Sequence, residues 1–119
     1  MDLAKGKRLR LLLVDDDEDE YVLTRDMLSD RSYSSGESQI RYDLDWVSTY
    51  AEALAAFEKN EYDIYLVDYR LGVRDGIELL REPVVRRSNA PIILMTGRGS
   101  YQVDVEAMKA GATDYLVKG

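Results

Sequence analysis

The chain has 119 residues, enough for one domain with a genuine core and too few for a second. With 45% hydrophobic and 33% charged residues it fits neither a disordered tail nor a membrane protein, and a net charge of −7 argues against a direct grip on nucleic acid. Cysteine and histidine are both absent, which excludes disulfides, thiolate nucleophiles, imidazole bases and metals held by Cys or His; the remaining carboxylates, hydroxyls, amines and backbone suit hard cations such as magnesium or calcium.

Residues 1–8 read as a basic arm, where Lys5, Lys7 and Arg8, with Arg10 just beyond, serve solubility. The apolar run 11–14 is too short for a signal-peptide core or a membrane span, so the cytoplasm is the expected location. "LRLLLV" (9–14) has the near-continuous apolar character of a strand buried on both faces, and it runs straight into the acids of 15–20. A helix is predicted over 18–30, with Leu23 and Met27 on a greasy side and Tyr21, Thr24 and Leu28 beside them. The Ser-rich stretch 31–39 reads as a loop, and the alternation in 40–48 as a half-buried edge strand.

Thr49 and Glu52 have capping-box spacing ahead of a helix carrying Tyr50, Leu54 and Phe57. "DIYLVD" (63–68) is the next buried strand, and 75–82 a helix capped by Asp75 and ended or kinked by Pro83. "PIILMT" (91–96) follows. Ser100 can cap a helix over 101–110, Gly111 suits a left-handed C-cap, and 113–118 is the fifth strand. Strand–helix alternation of this kind predicts an α/β domain over 1–119, a doubly wound five-stranded parallel sheet with helices on both faces. Such a sheet calls for one more helix after the last strand, so a domain truncated after strand five, or a fragment of a longer polypeptide, is expected.

Ligands of open α/β sheets sit beyond the C-terminal strand ends. Asp15 and Asp16 end the first strand and Asp68 the third; if those strands are neighbours, the three carboxylates repel one another unless a divalent cation neutralises them, and magnesium leads among oxygen-ligated ions. Thr96 and Lys118 carry a hydroxyl and an ammonium to the same edge, where they would bind an anion. A carboxylate nucleophile, a metal and cationic donors together suit phosphoryl transfer through an aspartyl phosphate. The four acids Asp17 to Glu20 read instead as a solvated first helical turn matched to the helix dipole.

Four blocks, "LLLVDDDED", "IYLVDYRLGVRDG", "PIILMTGRG" and "GATDYLVKG", resemble the signature blocks of the receiver domain of two-component response regulators, in order and over residues 9 to 119. The resemblance implies a flavodoxin-like fold with strand order 2-1-3-4-5, the order of chemotaxis receivers. It implies a phosphorelay switch in which Asp68 takes a phosphoryl group from a phosphohistidine of a sensor histidine kinase or a histidine phosphotransfer protein. Asp16 would bind Mg2+ directly, Asp15 through water or a hydrogen bond, and Arg70 through its backbone carbonyl. Lys118 would pair with Asp68 and then with the phosphoryl group, and Thr96 and Tyr115 match the switch pair. Arg70 and Arg98 fall where receivers tune phosphoryl loss.

The resemblance further implies self-phosphorylation and slow autodephosphorylation in place of enzymatic action on an outside substrate. A homodimer and a C-terminal output domain in a longer parent chain are the partners it allows, with no direct nucleic acid or membrane. Three positions depart from the family pattern. Gly72 replaces the usual proline and predicts a looser loop after Asp68, Gly119 replaces a cis-proline, and the last helix is missing, which would leave an apolar strip exposed. Two rival readings are a phosphorylation-independent adaptor with the receiver fold and a small phosphohydrolase with an aspartate nucleophile; the latter needs more chain than this.

Overall fold

A computed structural model describes residues 7–31, 40–97 and 101–117. In chain order its elements are β1 (Lys7–Val14), α1 (Glu18–Arg31), β2 (Ile40–Val47), α2 (Tyr50–Lys59), β3 (Ile64–Asp68), β4 (Arg70–Leu71), β5 (Arg74–Asp75), α3 (Gly76–Leu80), α4 (Pro83–Arg86), β6 (Ile92–Thr96), α5 (Tyr101–Ala110) and β7 (Asp114–Val117). The long strands form one sheet in the order β2-β1-β3-β6-β7, every pair parallel. This is the doubly wound order 2-1-3-4-5, with β6 and β7 as its fourth and fifth strands. The expectations for Lys5, the loop 32–39, Arg98, Ser100, Lys118 and Gly119 lie outside the described residues.

One face of the sheet carries the core. Leu12, Val14, Tyr65, Val67, Ile92 and Leu94 point into it and meet Phe57 of α2, Ile77 and Leu80 of α3, Val85 of α4 and Ala107 of α5. The Phe57 and Tyr65 rings stack at 3.9 Å between centroids and fix α2 against β3. On the opposite face Leu11 and Leu13 are buried, while Ile64, Leu66, Ile93 and Met95 are only half-buried. The expectation of a strand buried on both faces therefore holds for β1, whereas β3 and β6 are fully buried on one face only.

Helix α1 also departs from its reading. Leu23 and Met27 are 61% and 64% exposed, and the side turned to the sheet is Tyr21, Thr24 and Leu28. Tyr21 stacks on Trp46 of β2 at 5.1 Å. Spacing placed Leu23 and Met27 on one face without saying whether anything packs there. Leu116 and Val117 of β7 are exposed as well.

Local chemistry sets the breaks. Asp75 caps α3 through a complete capping box with Glu78, and Pro83 stands first in α4 after α3 has ended. At α2 only half of the predicted box forms: Thr49 accepts from the Glu52 N–H, but Glu52 accepts in return from the backbone of Ser48. Gly111, at φ +115°, closes α5 in a Schellman motif, with Ala112 N–H donating to Ala107 and Gly111 N–H to Met108.

Candidate functional site

Parallel pairing aligns Val14 with Val67, so the residues that follow them, Asp15 just beyond β1 and Asp68 at the end of β3, stand side by side at the C-terminal edge of the sheet. Asp15 is fully buried, Asp68 nearly so and Asp16 exposed. Carboxylate oxygens of all three lie within 4.8 Å of one another. At such spacing the charges repel unless a cation sits among them, and an all-oxygen donor set fits a hard divalent ion.

Asp15 is held from several sides. Its N–H donates to Val47 at 3.1 Å, its carbonyl accepts the Trp46 indole N–H at 2.7 Å, and its carboxylate accepts the Asp17 N–H at 3.0 Å. Asp17 in turn accepts from Asp19 N–H at 2.9 Å, which places it as the cap of α1. Glu18, Asp19 and Glu20 occupy that helix's first turn, as read from sequence.

Beyond Asp68 the chain makes a tight hairpin that sequence reasoning missed, β4 against β5 with Arg70 opposite Asp75. Gly76 N–H donates to the Tyr69 carbonyl at 2.7 Å, which makes Arg70–Asp75 a non-hydrogen-bonded pair. The hairpin ladder thus makes no use of the Arg70 carbonyl, the atom that the sequence reading gave to a metal, while the Arg70 side chain is exposed. Gly72 sits first in the two-residue turn at φ +67°, as a type II′ turn requires, and its N–H donates to Asp16 Oδ2 at 3.1 Å. The predicted looseness is not what this glycine produces: it ties the loop to an acid through a donor that proline lacks.

Thr96 follows Met95, the β6 partner of Asp68. It is 2% exposed, and its Oγ1 is buried with no hydrogen-bond partner. Buried hydroxyls are ordinarily paired with protein, water or a ligand, so this one is free to bond a group that enters beside the acids. Tyr115 lies on β7 opposite Leu94 and is 37% exposed. The Trp46 indole and the Gly72 N–H were not foreseen, because neither role leaves a local sequence signal.

Residues 11–119 match the profile of the response regulator receiver domain. The chain belongs to this family. Among curated relatives, this receiver is 33% identical over 98% of its length to the transcriptional regulatory protein ZraR of Salmonella typhimurium, and spans 24% of that protein. It is 30% identical over 99% of its length to the alginate biosynthesis regulator AlgB of Pseudomonas aeruginosa, again spanning 24%.

Among solved structures, a Burkholderia pseudomallei response regulator with a phosphorylated aspartic acid and a calcium ion superposes on the receiver with a TM-score of 0.76 at 27% identity, covering 92% of this chain and 59% of that one. The receiver domain of the Pseudomonas aeruginosa sensor histidine kinase PA1611, with magnesium in its active-site cleft, gives 0.71 at 28% identity, covering 92% and 84%.

Proposed function

We propose that this receiver is a phosphorelay switch whose acceptor is Asp68. A carboxylate oxygen of Asp68 attacks the phosphorus of a phosphohistidine on a sensor histidine kinase or histidine phosphotransfer protein; the N–P bond breaks and the imidazole keeps its electron pair and takes up a proton. Asp15, Asp16, Asp68 and the Arg70 carbonyl would hold Mg2+, which supplies positive charge against the phosphoryl oxygens. The Lys118 ammonium and the Thr96 hydroxyl would donate to those oxygens, and a move of Thr96 would draw the Tyr115 ring inward, a shift between two packings. The reading includes no reaction on an outside substrate, a cytoplasmic setting, and an output domain or homodimer in a longer parent chain. Among the described residues no helix is long and apolar enough to cross a membrane.

The observation that carries this reading is the meeting of three carboxylates within 4.8 Å beside a buried, unpartnered threonine hydroxyl. Intact-mass spectrometry after incubation with acetyl phosphate tests it. The expected result is a gain of one phosphoryl group that requires magnesium. No gain in a folded sample overturns the acceptor role and favours a phosphate-independent adaptor.

Thr96→Val separates stability from signalling. Valine keeps the branched shape and removes the orphaned hydroxyl, so the resting protein is expected to gain about 1 kcal/mol in urea unfolding. The same change is expected to slow phosphoryl uptake roughly tenfold or more, through loss of a charge-assisted bond. A variant with lower stability than the parent would show that the hydroxyl is already satisfied.

A further inference from the structure

The hairpin β4–β5 has two residues in each strand, far too little ladder to hold its own shape. The tip does not anchor it, since Val73 projects fully into solvent. Two other ties do. On one side Gly72 N–H reaches Asp16 Oδ2 at 3.1 Å.

On the other side Arg74 is gripped by α2 and the α3–α4 segment. Its guanidinium lies 3.8 Å above the Tyr50 ring, with Nε 3.5 Å from Glu78 and a terminal nitrogen 3.9 Å from Glu82. Glu82 is itself fixed by the Tyr50 hydroxyl, which donates to it at 2.6 Å. Tyr50 is buried, and burial first, then the bond to Glu82, raises its pKa, so it remains a donor across the working pH range. The Arg74 side chain is 47% exposed, so its two ion pairs add little singly; the stack on the buried ring is the main hold, and it acts on backbone two residues from Gly72.

We propose that this hairpin is a latch that positions Asp16: Gly72 N–H fixes one carboxylate oxygen and leaves the other for a cation, while Arg74, clasped by Tyr50, Glu78 and Glu82, keeps the donor in reach. The inference rests on the reading that the three acids take a divalent cation. A carboxylate already oriented loses less freedom when it binds a metal, and partners of this outer kind typically set affinity by about tenfold or more. Gly72 and Arg74 are positioning residues; neither side chain touches the reacting atoms.

The magnesium dissociation constant of the full chain tests the latch, taken from the dependence of the unfolding midpoint on magnesium concentration. Gly72→Pro removes the donor and, because proline is held near φ −65°, also forces the turn out of its present φ of +67°; it is expected to weaken binding about tenfold. Gly72→Asn keeps the N–H; turns of this kind accept Asn at a cost in stability, so its midpoint without magnesium is expected to fall while its magnesium affinity stays like the parent's. Arg74→Ala leaves the donor but frees the hairpin and is expected to fall between the two, with Arg74→Lys recovering part of the loss.

A purely structural role would move the midpoint without magnesium and leave the dissociation constant alone. A folded Gly72→Pro protein with parental affinity overturns the latch while the metal reading stands; if that variant does not fold, parental affinity in Arg74→Ala overturns it. A parent that shows no magnesium response, or whose response survives Asp16→Asn, overturns the metal reading and the latch with it.

Discussion

Gly76→Ala is expected to lower the thermal midpoint by about 10 °C, the equivalent of roughly 3 kcal/mol in a domain of this size. A β-carbon built on Gly76 would stand 2.7 Å from the Asp68 carbonyl oxygen, 2.8 Å from Leu94 Cδ1 and 3.1 Å from Val67 Cγ1. A leucine methyl can turn aside. The carbonyl oxygen cannot, because it is backbone at the end of a central strand, and the neighbouring Tyr69 is bonded on both sides, its N–H to Met95 and its carbonyl to Gly76 itself.

Relief must therefore come from moving either α3 or the end of β3, and the second choice shifts Asp68 relative to Asp15 and Asp16. The control is Gly97→Ala, where the added carbon meets nothing within 4 Å among the described residues and a change within about 0.5 kcal/mol is expected. Circular-dichroism melts of the two variants decide the matter. A Gly76→Ala midpoint equal to that of Gly97→Ala would mean that the close approach is not rigid.

That requirement was invisible in "VRDGIEL", which reads as a capped helix start and nothing more. The strands were legible because apolar runs bounded by polar turns leave little choice, and Pro83 and Gly111 announced their breaks by backbone chemistry alone. The hairpin β4–β5 was not legible, since two-residue strands carry no period and Gly72–Val73 looks like any loop. Helix α1 misled for a different reason. Leu23 and Met27 share a face by spacing, yet periodicity reports that a face exists and never what covers it.

The acids at the strand ends could be placed because parallel topology delivers them to one edge. What orients them could not, since it comes from a backbone N–H of Gly72 and an indole 31 residues from Asp15. The same limit explains the misjudged glycine. Compared with proline, Gly72 was read as lost stiffness, whereas the fold uses the N–H that proline lacks.

Asp68→Asn is expected to abolish phosphoryl uptake from acetyl phosphate, in a protein that stays folded. Asparagine matches aspartate in shape at this nearly buried site but offers a neutral amide oxygen, a far weaker nucleophile than a carboxylate. Neighbouring acids are poorly placed to substitute. The Asp15 carboxylate is buried and committed to Asp17 N–H, and Asp16 is tied to Gly72 N–H.

The variant still keeps two of the three carboxylates of the cluster, so magnesium should bind it more weakly yet measurably. Asp16→Asn is the complement: the acceptor remains, and uptake should lose most of its dependence on magnesium along with most of its rate. Mass spectrometry on both variants, with and without the cation, therefore separates the group that receives phosphorus from the groups that hold the charge beside it. A phosphoryl gain persisting in Asp68→Asn but lost on adding Asp16→Asn would move the acceptor to Asp16 and undo the assignment made above.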